Sequence, residues 1–292
     1  MFIGLCGTIC AGKRTVTNFL VEKYGFQVLR LTTHVSPLLP GDNAIVATRD
    51  IVSGLPHDDG DEGKSSEDPS SLSFASVGDL LEYVTPRWQQ RFVMTDIWSE
   101  DVLEALLKRP FFLLVGVDAP TVVRWRRYID QYKKQLPLEE FVEKADTHMF
   151  DPTTGLIPLF VRATIHLLNS SSSLATLHDR LFKLDLVDES RLRPTWDAYF
   201  MQLAHLASQR SNCMKRRVGC VLVREKRVIS TGYNGTPRGL KNCNEGGCDR
   251  CNGGSEGGAA LSTCLCLHAE ENALLEAGRE RVNKGAILYC DT

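Results

Sequence analysis

A histidine and a glutamate two residues apart, His268 and Glu270, stand at the start of a predicted helix near the end of the sequence. Leu274 and Leu275 follow at helical spacing, and Gly278 supplies a stop signal. An imidazole can ligate a metal ion and a neighbouring carboxylate can carry protons, so the pair could support metal-assisted hydrolysis. Taken alone, His-x-Glu is frequent by chance, and a hydrogen-bonded core or capping histidine is the competing interpretation.

Cysteines supply a second candidate for chemistry, because five of the ten fall between residues 243 and 266. With one cysteine at the end of the preceding predicted helix, they form a set whose spacing can build a tetrahedral thiolate zinc site: Cys213, Cys243, Cys248, Cys251, Cys264 and Cys266. A structural zinc would use only some of these six, and free thiols in a flexible loop are the alternative. The other four, Cys6, Cys10, Cys220 and Cys290, are predicted to be small core residues.

The sequence GTICAGK near the N-terminus matches a phosphate-binding loop, with Gly7, Gly12 and Lys13 at the required positions between an apolar strand and a helix. The next position is Arg14, where that motif needs Ser or Thr to ligate magnesium. The loop is therefore predicted to be vestigial. A fold retained for packing or assembly is the favoured interpretation, and nucleotide binding is the alternative.

Basic residues are concentrated between residues 208 and 250, where ten lysines and arginines stand against three acidic residues. Such an excess can clamp phosphate, although most basic patches are solvated faces. Tyr233 is the single aromatic residue of this stretch, whereas single-stranded nucleic acid is bound on aromatic platforms. The composition therefore favours a small phosphorylated ligand over a polynucleotide.

Strand-like runs alternate with helical patterns over residues 1–188, which predicts an α/β domain with a parallel sheet and helices on both faces. Within it, residues 57–73 contain six acidic residues, one lysine and many Ser and Gly, and they are predicted to be a disordered insertion. After a charged connection with a proline, residues 194–292 form the second predicted domain: a helix, two strands, a Gly- and Cys-rich loop, and the helix that opens at His268.

Bulk properties set limits on location. The formal net charge of −2 indicates no particular partner. The sequence has no apolar run of about 18 residues, and its first residues lack the basic stretch of a signal peptide. We therefore expect a cytoplasmic protein, or one found in the nucleus as well, in which cysteines are thiols or metal ligands.

The stretch from SNCMKRRVGCVLVRE through GYNGTPRGLKNC to CLHAEENALLEAG and AILYCDT closely resembles the deoxycytidylate (dCMP) deaminases of the zinc-dependent cytidine deaminase superfamily. The two-domain layout is similar to the fungal members. The N-terminal half resembles P-loop kinases, notably the dephospho-coenzyme A and nucleoside monophosphate kinases, through FIGLCGTICAGK and ATIHLLNSSSSLATLHDRL.

The resemblance implies a C-terminal α/β/α domain that deaminates dCMP to dUMP for pyrimidine deoxynucleotide biosynthesis, with His268 ligating zinc and Glu270 shuttling protons. It implies that Tyr233, Asn234 and Gly235 lie by the nucleotide, with Asn234 as the polar contact; among the basic residues, we count Arg217 as a binding candidate. It also implies a second zinc held by some of the six cysteines, activation by dCTP, inhibition by dTTP, and a homo-oligomer that is a hexamer in the family.

The superfamily pairs His-x-Glu with a later Pro-Cys-x-x-Cys that completes the zinc shell, and this sequence stops at LYCDT, before that motif. We therefore expect a chain that is truncated at its C-terminus and inactive as written. Two other functions remain open: a P-loop nucleotide or coenzyme kinase that depends on Lys13, and a non-catalytic zinc module for assembly.

Overall fold

The computed structural model describes residues 1–32, 71–133, 135–171, 173–254, 256, 258–282 and 284–291. The chain forms two compact units, Met1–Leu192 and Arg193–Thr292, which are described separately below. Residues 57–70 of the predicted disordered insertion lie outside the described residues. The prediction was wrong at Leu72 and Ser73, which belong to a strand, because Leu72 packs against the apolar core of the first unit.

The first unit alternates strands and helices around a six-stranded sheet. Its strands are β1 (Phe2–Gly7), β2 (Gln27–Leu31), β3 (Leu72–Phe74), β4 (Phe92–Met94), β5 (Phe112–Asp118) and β6 (Ile165–Leu168). Its helices are α1 (Lys13–Tyr24), α2 (Val77–Val84), α3 (Glu100–Leu107), α4 (Thr121–Tyr132), α5 (Leu138–Phe150), α6 (Ile157–Phe160) and α7 (Leu174–Leu184). The strand order is β3-β2-β4-β1-β5-β6, and every pairing is parallel.

Both faces of this sheet are covered. All six residues of β1 are buried, and alternate side chains enter different cores, Phe2 on one face and Ile3 and Leu5 on the other. The first core includes residues of α2, α3 and α6, whereas the second includes residues of α1 and α7. Strands that are buried on both faces have continuous apolar sequences, and this pattern made them recognisable. The predicted α/β class is confirmed.

The second unit has a three-stranded antiparallel sheet. Its elements are α8 (Trp196–Ser208), β7 (Gly219–Arg224), β8 (Arg227–Tyr233), the short α9 (Asp249–Asn252), α10 (Ala269–Ala277) and β9 (Ile287–Asp291). The strand order is β8-β7-β9. Among the described residues, no helix is both long and apolar enough to cross a membrane.

Two helices sandwich this sheet. Val221 and Val223 of β7 pack with Phe200 and Ala204 of α8. Cys220, on the opposite face of β7, packs with Ala269 and Ala273 of α10. Two glycines permit the close approach of the helices. A Cβ on Gly219 would lie 2.1 Å from the carbonyl oxygen of Ala204, and one on Gly232 would lie 2.1 Å from that of Ala269. The sheet therefore holds the first turn of α10 at a fixed distance.

Candidate active site and cysteine cluster

The start of α10 is fixed by contacts with the end of β8. Gly235 and Leu267 form an isolated antiparallel bridge, in which the amide of Leu267 donates to the carbonyl of Gly235 at 2.8 Å. The side-chain amide of Asn272 donates to the carbonyl of Tyr233 at 2.9 Å. His268 is the N-cap residue, with φ −69° and ψ 153°, and its side chain is exposed. These contacts place His268 and Glu270 at the helix N-terminus, as the sequence predicted.

Glu270 lies beside two cysteines that the sequence placed only in the core. The thiol of Cys290 donates to Oε1 of Glu270 at 3.1 Å. Cys290 is paired with Cys220 across β7 and β9, and the ligand atoms of the three residues lie within 4.8 Å of one another. The pKa of Glu270 is lowered by its own backbone N–H, by the Cys290 thiol and by His268. A carboxylate at this position is therefore kept ionised and oriented.

The exposed side of this helix turn borders an open groove of about 590 Å³. The groove is lined by His268, Glu270, Glu271, Leu274 and Leu275. It combines an imidazole and a carboxylate with apolar walls. Among the described residues, no group of three or more cysteine, histidine or carboxylate side chains that could hold a metal ion includes His268. Among the residues that line the groove, His268 is the one that offers a nitrogen ligand to a metal.

Asn234, which the resemblance to the deaminases places by the nucleotide, belongs to a buried hydrogen-bond network. Its side chain is buried, and its Oδ1 accepts hydrogen bonds from the Ser211 hydroxyl at 2.6 Å and from the Val218 amide at 2.9 Å. Its Nδ2 donates to the carbonyl of Arg216 at 2.7 Å. The amide thus holds the loop between α8 and β7 in place. Its contact with a nucleotide stays a prediction, and one amide hydrogen remains for it.

We expect Asn234→Ala to lower the free energy of unfolding by about 2 kcal/mol, because it leaves the buried Val218 amide without its partner. Asn244→Ala, at an exposed position of the following loop, is the control and is expected to have no measurable effect. Urea denaturation of both variants tests this, and equal midpoints would contradict the assigned role.

The other predicted binding residues differ in exposure. Tyr233 is half-buried at the end of β8, Gly235 is buried, and Arg217 is exposed. A Cβ on Gly235 would lie 2.4 Å from Oδ1 of Asn212, so a side chain added there would require the Asn212 side chain to move. The segment from Tyr233 to Gly235 is held at the start of α10 by the Gly235–Leu267 bridge and by the side-chain amide of Asn272.

The six predicted cysteine ligands come together in one cluster. Cys243, Cys248 and Cys251 are buried, and the others pack against them: Cys213, Cys264 and Cys266. Burial opposes ionisation of Cys248, but the backbone N–H groups of Leu265 and Cys251 lower its pKa to about 6. Burial and the neighbouring Cys243 and Cys213 raise the pKa of Cys266. Sulfurs gathered in this way, with N–H donors aimed at them, fit a thiolate-bound zinc ion.

The phosphate-loop residues Gly7, Gly12 and Lys13 also come together, but internal groups occupy the loop. The Lys13 Nζ donates to the carbonyls of Gly7 at 2.7 Å and Thr8 at 3.1 Å, and burial lowers its pKa to about 8. The side-chain amide of Asn169 donates to the carbonyl of Ala11 at 2.8 Å. A Cβ on Gly12 would lie 2.5 Å from that amide nitrogen. The loop is tied to its own domain.

An acidic side chain at the end of the neighbouring strand is bonded to this loop as well. Asp118, at the end of β5, accepts a hydrogen bond from the Thr8 hydroxyl at 2.6 Å and lies 3.8 Å from Nε of Arg124. The carboxylate and the loop are thus hydrogen-bonded to each other at the ends of the adjacent strands β1 and β5. This arrangement agrees with a loop retained for packing, and the kinase alternative is not favoured.

Comparison with known proteins identifies the second unit first. Residues 194–292 match the family model for the cytidine and deoxycytidylate deaminase zinc-binding region, so zinc is the metal of this unit. A solved structure of dCMP deaminase from the cyanophage S-TIM5, in complex with dCMP and dUMP, is 30% identical over 34% of this chain and 65% of that chain, with a TM-score of 0.26.

Two fungal relatives align with nearly the whole chain. Deoxycytidylate deaminase of Schizosaccharomyces pombe is 50% identical over 294 residues, covering 99% of this chain and 83% of the relative. Deoxycytidylate deaminase of Saccharomyces cerevisiae is 38% identical over 302 residues, covering 100% of this chain and 82% of the relative. The chain belongs to the deoxycytidylate deaminase family.

Proposed function

We propose that this protein catalyses the hydrolytic deamination of dCMP to dUMP, with His268 as a zinc ligand and Glu270 as the proton carrier. The observation that carries the proposal is the placement of both side chains at the N-terminus of α10, on the wall of one open groove. The membership of the chain in the deoxycytidylate deaminase family supports the choice of reaction and substrate. The product is a precursor in pyrimidine deoxynucleotide synthesis.

The reaction replaces the amino group at C4 of the cytosine ring with the oxygen of water and releases ammonia. Zinc, when bound, lowers the pKa of water towards neutrality and so makes a nucleophile available at physiological pH. Glu270 would accept one proton from the attacking water and pass it to the ring nitrogen; it would then take the proton of the resulting C4 hydroxyl and give it to the amino group, which leaves as ammonia when the C–N bond breaks. Its lowered pKa keeps it ionised at the start of this sequence.

Cys290 acts as a positioning residue for Glu270. Its thiol donates to the carboxylate at 3.1 Å from the neighbouring strand, and its own pKa is raised by burial, by Cys220 and by Glu270, so it stays protonated. A protonated thiol fixes one carboxylate oxygen and leaves the second for the groove.

Replacement of Cys290 by alanine tests this role. Because the Cys290 thiol helps to lower the pKa of Glu270, its removal raises that pKa, and the acidic limb of the kcat/KM profile should move to higher pH. Tyr289→Phe is the matched control, because it removes the hydrogen bond to Asp197 from the adjacent β9 residue. An unmoved acidic limb in Cys290→Ala would contradict the assignment.

The substrate is a monophosphate in this proposal because basic residues are concentrated between residues 208 and 250, a range that includes the loop before β7 and the segment after β8. The basic residues between residues 208 and 250 are Arg210, Lys215, Arg216, Arg217, Arg224, Lys226, Arg227, Arg238, Lys241 and Arg250. Arg217 is exposed in the loop that Asn234 holds, and a guanidinium there can pair with phosphate oxygens.

A substrate panel tests the proposed function. Zinc-loaded protein, expressed from the natural gene, is incubated with deoxycytidine, dCMP and a cytosine-containing oligonucleotide, and ammonia release is measured. We expect kcat/KM for dCMP to exceed that for deoxycytidine by at least about 100-fold, since a phosphate held by charged partners is worth about 3 kcal/mol. Equal rates for dCMP and deoxycytidine would contradict the monophosphate assignment.

The proposal extends to regulation and assembly. Resemblance to the fungal family supports a homo-oligomer, hexameric as in that family, activated by dCTP and inhibited by dTTP, in the cytoplasm or the nucleus. Light scattering with and without these nucleotides, together with initial rates, checks both statements; a monomer whose rate neither nucleotide changes would contradict them.

A further inference from the structure

The cysteine cluster of the second unit contains two four-sulfur groups. The first consists of Cys213, Cys243, Cys251 and Cys266, and the second consists of Cys248, Cys251, Cys264 and Cys266. Within each group, all Sγ atoms lie within 4.8 Å of one another. Cys251 and Cys266 belong to both groups. The six sulfurs therefore outline two four-ligand sites that share one edge.

The distances between the Sγ atoms agree with those expected for four thiolates arranged tetrahedrally around a zinc ion. Zinc–sulfur bonds of about 2.3 Å place the corners of a tetrahedron about 3.8 Å apart. In the first group the Sγ atoms of Cys213 and Cys251 are 3.8 Å apart, and the shared edge from Cys251 to Cys266 is 3.9 Å. In the second group Cys264 lies 3.9 Å from Cys248 and 3.7 Å from Cys251.

Hydrogen-bond donors are aimed at sulfurs in both groups. The amide of Met214 is 3.5 Å from Sγ of Cys243, a ligand found only in the first group. The amide of Leu265 is 3.4 Å from Sγ of Cys248, a ligand found only in the second. Nη1 of Arg250 is 3.7 Å from Sγ of Cys264, also in the second group. Donors of this kind stabilise thiolates, so both unshared pairs are built to carry negative charge. One zinc ion would leave one pair without a metal.

The loop around the cluster has few buried residues apart from cysteines. Among the described residues between 236 and 266, the buried ones are Cys243, Cys248 and Cys251. Many of the others are glycines and exposed polar residues. A chain segment of this length cannot offset its loss of conformational entropy without a core, and small segments of this kind are commonly ordered by metal.

We propose that these six cysteines bind two zinc ions, with Cys251 and Cys266 as thiolates that bridge them. Cys213 and Cys243 complete the coordination of one ion, and Cys248 and Cys264 complete that of the other. Binding of two Zn²⁺ displaces six thiol protons, so the cluster of two ions and six thiolates carries a net charge of −2, next to the guanidinium of Arg250. The inference does not rest on the proposed deaminase function, because none of the six residues belongs to the groove.

Zinc content of purified protein tests the number of ions. The measurement is made on the full chain carrying His268→Ala, which removes the zinc ligand of the groove. We expect two zinc ions per chain, one in the Cys243→Ser derivative and one in the Cys264→Ser derivative. Cys10→Ser, outside the cluster, is the control and should retain two. A single zinc per chain, or unchanged content in either cluster variant, would overturn the proposal.

A second measurement needs no change to the cluster and is unaffected by variants that fail to fold. The same His268→Ala chain is loaded with ¹¹³Cd, and its cadmium NMR spectrum is recorded. Two resonances from all-sulfur sites, coupled to each other through the bridging sulfurs, are expected. One resonance, or two without coupling, would refute shared ligands. Zinc content and the cadmium spectrum do not depend on whether the protein deaminates dCMP. The two-zinc proposal and the deaminase proposal can therefore be refuted independently.

Discussion

Replacement of Glu270 by glutamine is expected to lower kcat for dCMP by at least about 10³-fold, in line with the loss of a general acid–base catalyst. The amide cannot accept the proton of water, although it has nearly the shape of the carboxylate and can still accept the hydrogen bond from Cys290. Zinc content should not change, since glutamate is not a ligand in this account. The loss should appear in kcat and kcat/KM together, because the step removed is chemical.

Glu276→Gln is the matched control for that variant. Glu276 lies on the same helix and is exposed, and it does not line the groove. Its substitution changes the charge of α10 equally and should leave the rate within about twofold, the size expected for a distant exposed charge. Steady-state rates and zinc content of the two variants decide the question. A Glu270→Gln enzyme with near-normal turnover would remove the residue from the mechanism.

Gly232→Ala is expected to reduce both stability and activity. A Cβ at this position of β8 would lie 2.1 Å from the carbonyl oxygen of Ala269 and 2.4 Å from the amide nitrogen of Ala273. These are backbone atoms of α10, so the helix itself must move away from the sheet. Overpacking of this kind costs about 3 kcal/mol. The displaced helix start also carries His268 and Glu270, so we expect kcat to fall by about 100-fold, as for misplaced catalytic groups.

Gly254→Ala is the control, because a Cβ there meets nothing within 4 Å. Thermal unfolding followed by circular dichroism, with rates measured at a temperature where both variants are folded, separates the two effects. A Gly232→Ala protein with normal stability and normal kcat would show that α10 does not need this close approach to the sheet. Normal stability with lost activity would instead place the effect in the geometry of the groove alone.

The sequence predicted the elements that carry strong local signals. Strand β1 is apolar throughout because both of its faces are buried, and α10 was identified by its spacing and by Gly278, which caps it with φ 69°. Strand β3 was missed because it has three residues and follows an acidic stretch that reads as disordered. Its place in the sheet depends on pairing with β2, which local sequence does not encode.

Relations between distant residues were the part that sequence could not supply. Cys220 and Cys290 read as small core residues, and only the antiparallel register of β7 and β9 brings them to Glu270. Alternation along the strands could have placed them on one face, but not opposite the helix start. Likewise, spacing identified six candidate cysteine ligands without showing that two of them are shared by both groups.

The central claim is tested most directly by the fate of the oxygen atom. Zinc-loaded protein from the natural gene is incubated with dCMP in H₂¹⁸O, and the nucleotide product is analysed by mass spectrometry. The account predicts dUMP that carries one ¹⁸O atom in its base, formed together with one ammonia per turnover. No dUMP, or dUMP without the label in its base, would contradict hydrolytic deamination by this protein.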